Sequence, residues 1–125
     1  MGIILYIIAW VLEPILTILN FIAVLIKYAK IGSFWKVINE FFYQGAVSKD
    51  KFGNYNYRTL LNLTLIKKKS KHLFGNVIET ISSVLGKNQV NGTLTIAGWL
   101  IVILLWIFVH PKHWNIGHCK YYIDI

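Results

Sequence analysis

Residues 2–26 read GIILYIIAWVLEPILTILNFIAVLI. Across these 25 residues only Glu13 and Asn20 carry strongly polar side chains, and none is basic. As a helix rising 1.5 Å per residue, the run is about 37 Å long, enough to cross a bilayer core of about 30 Å with some tilt. A second apolar run occupies residues 94–109. Its 16 residues are short for a full crossing, so it either spans with local thinning or lies in the interface. The expectation adopted here is that it spans. Of all residues 56% are apolar and only 14% are charged, and a chain of 125 residues has little core in which to hide two such runs.

Charge sets the orientation. Eleven of the 13 Lys and Arg residues lie from Lys27 to Lys87, against three acids, Glu40, Asp50 and Glu79, so this segment carries the whole net +8. Basic segments flanking membrane runs stay in the cytoplasm. The sequence therefore predicts an all-α membrane protein. Its two-helix transmembrane hairpin has both termini outside and a basic, partly helical cytoplasmic loop. The organisation is a first span at 2–26, a basic segment at 27–93, a second helix at 94–109 and a His/Trp-rich tail at 110–125. The first run lacks a basic lead-in and an A-x-A-like cleavage site, so it reads as a retained anchor.

Within the first run Glu13, Thr17, Asn20 and Lys27 fall on one helical face. Such a seam suits helix association, in a homo-oligomer or with a host membrane protein, or packing against the second run. Pro14 predicts a kink. Beyond Ile31-Gly32-Ser33, residues 33–43 predict an amphipathic helix with Ser33 as N-cap. Its Phe34, Trp35, Phe41 and Phe42 suit the headgroup region or the lid of a small core. Gly45 to Tyr57 reads as turns, and Thr59 to Ile66 as a short apolar stretch open to helix or strand, with helix the adopted expectation. Lys67, Lys68, Lys69 and Lys71 read as a solvated loop that an anionic inner leaflet attracts. No motif that reads bases or organises phosphates accompanies them, so a membrane-attached nucleic-acid binder is a secondary reading. Asn76 and Glu79 have capping-box spacing for a helix over 77–85, and Gly86 suits its C-cap. Asn91-Gly92 predicts a turn, and Thr93 a cap for the second run. Trp99, Trp106 and Trp114 are spaced like interface anchors.

Chemistry-bearing residues collect in the tail. His110, His113, His118 and Cys119 lie within ten residues and could ligate zinc or copper, yet their spacing fits no metal pattern. Cys119 with His118, or with Glu79 or Ser82 nearby, is the candidate for a membrane-interfacial Cys/His enzyme. No cofactor motif occurs: there is no Walker loop, Rossmann glycine set, HExxH or Gly-x-Ser-x-Gly. The sequons at Asn62 and Asn91 are silent if cytoplasmic.

The block Glu79-Thr80-Ile81-Ser82-Ser83-Val84-Leu85-Gly86, followed about thirty residues later by His118-Cys119, resembles small uncharacterised tailed-phage and prophage proteins. Those proteins share an E-T-I-S-S-x-x-G block and a C-terminal His-Cys. This chain departs from them in its extra N-terminal run and its more apolar segment before His-Cys. The block carries no assigned chemistry, and the departures make the membrane runs specific to this chain. Runs and resemblance together give the expectation of a phage- or prophage-type protein of the bacterial (host) inner membrane. It is expected to be non-enzymatic, acting by insertion and self-association or by binding a host membrane protein, in lysis support or superinfection exclusion. The resemblance makes Glu79, Ser82, Gly86, His118 and Cys119 the positions to test. In the hairpin topology Glu79 and His118-Cys119 would lie on opposite sides of the membrane, which is awkward for a joint site.

Overall fold

The structure is a computed structural model that describes residues 1–30, 32–109, 118–121 and 123. Its regular elements among these residues are helices, joined by turns and irregular segments, with one isolated antiparallel bridge between Ile66 and Leu94. The helices are α1 (Gly2–Tyr28), α2 (Phe34–Asn56), α3 (Arg58–Thr64), α4 (Ile81–Val90), α5 (Ile96–Val109) and α6 (His118–Tyr121). The chain divides into two units, Met1–Gly45 and Ala46–Ile125.

In the first unit α1 runs unbroken through Pro14 for 27 residues, and none of its residues is buried. It is the one helix among the described residues long and apolar enough to cross a membrane. A predominantly apolar helix is at home in a core or in lipid, and no residue of this one is buried in a core. The Thr17 hydroxyl donates to the Glu13 carbonyl at 2.8 Å, a bond back to its own helix. Phe21 meets Phe41 and Phe42, with ring centroids 5.3 and 5.4 Å apart.

The amphipathic helix expected over 33–43 continues to Asn56, through the stretch expected to turn. The reason is tertiary. Val47, Asp50, Lys51 and Asn54 recur at the spacing of one helix face, and all are withdrawn from solvent, Asn54 completely. That packing outweighs the roughly 1 kcal/mol by which each helical glycine disfavours the helix.

The second unit is built on Leu65, Ile66, Phe74, Val84, Leu85, Leu94, Val102 and Cys119. Before α5 the chain is clipped to the segment after α3. Thr95 donates its N–H to the Leu65 carbonyl (3.0 Å), Lys67 donates its N–H to the Thr93 carbonyl (2.8 Å), and the Thr95 hydroxyl donates to the Thr64 carbonyl (2.6 Å). The clip draws Leu94 into the bridge, so the helix starts at Ile96. Thr95 rather than Thr93 caps it, accepting the Gly98 N–H at 3.1 Å. Gly98 sits against the Leu65 carbonyl, where any Cβ would collide with backbone.

A second crossing is not shown, and the packing of α6 on α4 favours the interfacial alternative for the second run. A helix of 14 residues is about 21 Å long, short of a bilayer core of about 30 Å. More decisively, a spanning α5 would hold the elements before and after it on opposite faces. Here α4 and α6, one on each side of α5 in the sequence, lie in contact.

Candidate functional site

The E-T-I-S-S-x-x-G block builds the start of α4. Thr80 is its N-cap, in extended conformation, with its hydroxyl accepting the Ser83 N–H at 3.1 Å. The expected helix over 77–85 is therefore displaced to 81–90. Asn76 instead closes a local turn, its Oδ1 accepting the Ile78 N–H at 3.2 Å. Glu79, expected to complete a capping box, accepts the Ser83 hydroxyl at 2.7 Å and pairs with Lys87 at 2.9 Å. From α2, Asp50 reaches the same helix end. Its carboxylate accepts the Ser82 N–H at 3.4 Å and bonds the Ser82 hydroxyl and the Ile81 N–H. Burial nevertheless pushes its carboxyl above the ordinary value of 3.8.

Gly86 lies in the middle of α4, not at its end, and is buried. Its missing side chain lets the α6 backbone approach: a Cβ would lie 2.7 Å from the Cys119 carbonyl carbon, and nearer still to its oxygen. The fold thus brings the E-T-I-S-S-x-x-G block and Cys119 into one site, as the hairpin topology did not allow. What assembles is structural rather than nucleophilic. Cys119 is fully buried, and burial, then the charge of Asp50, pushes its thiol up to about 12. A thiol so held stays protonated at neutral pH and inert. Of the other tail candidates, His110 and His113 lie outside the described residues, as does Trp114, and the His118 side chain is not described. Among the described residues no three His, Cys, Asp or Glu side chains gather as a metal site.

The lysine run, read as a solvated loop, belongs to a segment pinned from beneath by three asparagines. Asn54 accepts the Gly75 N–H at 2.8 Å and donates to the carbonyls of Glu79 (2.6 Å) and Asn76 (3.2 Å). Asn62 grips Phe74 at both backbone groups, accepting its N–H at 2.8 Å and donating to its carbonyl at 3.0 Å. Asn88 is fully buried. Its Oδ1 accepts the hydroxyls of Ser70 and Thr93, and its Nδ2 donates to the carbonyls of His72 (2.8 Å) and Val84 (2.9 Å). With every polar atom satisfied, such a network orders irregular backbone. Lys67, Lys68, Lys69 and Lys71 remain exposed on this ordered base.

No family model, curated protein or solved structure matches the chain.

The remaining sequence candidates belong to the first unit. Glu13, Thr17 and Asn20 lie along α1, while Phe34, Trp35, Phe41 and Phe42 lie on the first turns of α2. Sequence reasoning missed Asp50, Asn54, Asn62 and Asn88. Their types gave no signal, because Asn and Asp in a polar segment read as turn formers, and Asn62 reads only as a sequon within a short apolar stretch. The spacing Val47, Asp50, Lys51, Asn54 was the one trace of an inward face.

Proposed function

We propose that this is a small, non-enzymatic integral membrane protein of the phage or prophage type. α1 anchors it in the bacterial inner membrane, and it acts by insertion and helix association, in lysis support or superinfection exclusion. The observation that carries the reading is α1 itself: 27 residues, long and apolar enough to cross a membrane, and buried nowhere. The contact between α4 and α6, which precede and follow α5 in the sequence, supports one crossing instead of two. The basic segment and the tail then share the cytoplasmic side, facing the anionic leaflet. Glu13 and Asn20 supply the polar positions for association with another copy or a host membrane protein. The Cys/His enzyme alternative loses its nucleophile to burial.

The test is expression in a bacterium, with alkaline carbonate extraction of its membranes and a potential-sensitive dye. The protein stays with the lipid and the potential falls. Glu13→Leu leaves insertion intact and abolishes the fall. Release by carbonate overturns the anchor, and an unaltered effect in Glu13→Leu overturns the role of the seam.

A further inference from the structure

Seven large apolar side chains of α5 are exposed: Ile96, Trp99, Leu100, Ile103, Leu104, Ile107 and Phe108. Their spacing of three and four residues places them on one side of the helix, over about half of its circumference. The opposite side holds Gly98 and Val102, both buried, and the partly buried Ile101 and Leu105. The second unit thus uses half of its most apolar helix for its core and leaves the other half uncovered. Ile96 is 83% exposed and Phe108, near the far end, 78%.

A second feature says what covers it. The Ile66–Leu94 bridge, with the Lys67 N–H on the Thr93 carbonyl, fixes the lysine run at the N-terminal end of this stripe. The sequence separates the two by more than 25 residues. Lys67 also reaches across the clip, its Nζ donating to the Gly92 carbonyl at 3.3 Å, while Lys68 and Lys69 stand exposed beside it. An apolar helix face about 21 Å long with a fixed cluster of cations at one end matches a bilayer surface, acyl chains beneath and phosphates at the rim. A protein partner of α5 has no use for a cation cluster at the rim unless it is itself acidic there. An anionic lipid surface meets both requirements at once.

We infer that α5 and Lys67–Lys69 form a second, interfacial lipid-docking site for anionic phospholipid, which lays the second unit on the same membrane that α1 crosses. The inference rests on the membrane reading of α1, and the test separates the two. The full chain is reconstituted in vesicles of phosphatidylcholine, alone or mixed with phosphatidylglycerol. A nitroxide on Leu100→Cys reports α5 and one on Leu16→Cys reports α1, with accessibility to oxygen and to a water-soluble nickel chelate as readout. In mixed vesicles both labels are exposed to oxygen and shielded from nickel. Lys68→Gln with Lys69→Gln then lowers the docked-to-undocked ratio at Leu100 by about fivefold per lysine, roughly twenty-five-fold together, leaving Leu16 unchanged. A nickel-accessible Leu100 beside an immersed Leu16 overturns the docking site and spares the anchor. A nickel-accessible Leu16 overturns both. Immersion of Leu100 that ignores phosphatidylglycerol and the lysines overturns the anionic-lipid assignment. Spin–spin broadening between Leu100 labels does so too, since it names a second copy as the occupant.

Discussion

Gly86→Ala puts the α4–α6 contact to a test in which two effects have opposite signs. In an open helix interior, alanine for glycine stabilises by about 1 kcal/mol. At Gly86 the new methyl would lie 2.7 Å from the Cys119 carbonyl carbon, and the obstacle is backbone, so α6 has to move. Overpacking of this kind costs about 1–3 kcal/mol, enough to cancel or reverse the helix-propensity gain. The sharper readout is the thiol. With its pKa pushed up to about 12, Cys119 at pH 8 is thiolate to about one part in ten thousand, against about one in ten at the ordinary value of 9.0. Lifting α6 restores exposure and ordinary acidity together, so maleimide labelling of Cys119 rises by up to about a thousandfold. The assay is labelling of the intact chain in mild detergent, beside urea unfolding. Gly45→Ala is the control, because no atom lies within 4 Å of its Cβ position. A Gly86→Ala protein that gains about 1 kcal/mol and keeps its thiol silent refutes the contact, and with it the argument against a spanning α5.

Two further outcomes test the polar framework of the second unit. Asn88→Ala removes four side-chain hydrogen bonds and leaves the Ser70 and Thr93 hydroxyls only their longer bonds to the His72 and Asn88 carbonyls (3.3 and 3.4 Å), which should destabilise by about 1–3 kcal/mol; a loss well under about 1 kcal/mol by urea unfolding means the lysine segment is not held by this residue. Asp50 has a higher pKa folded than its ordinary 3.8, so the folded state binds more protons in that window and stability declines as pH rises through it. Asp50→Asn removes that decline, and thermal unfolding at stepped pH that shows the same slope in both proteins refutes the assignment.

How much of this was legible beforehand depended on whether a signal was local. Thr59 to Ile66 reads as a short helix because Thr, Leu and Asn keep company with nothing that breaks one, and α3 follows it closely. The start of α4 was misread because two candidate caps stand close together. Asn76 has the right spacing to Glu79, but Thr80 has the tertiary support, since Asp50 arrives from α2 to share the helix end. Gly86 reads as a stop in isolation and acts as a contact in the fold, because only a neighbouring backbone reveals why a side chain is missing.

The sequence by itself determined α1, its apolar uniformity and the concentration of positive charge after it, because bilayer length and solvation energy are read along one helix without reference to any other. It also fixed the lysine run and the existence of α5. Tertiary structure alone decided that α4 meets α6, that the Cys119 thiol is silenced, and that Asn88 and the Ile66–Leu94 clip hold the lysine run at the end of an apolar stripe. Each of those depends on residues far apart in the chain meeting at hydrogen-bond or van der Waals distance, a relation that periodicity and composition do not encode.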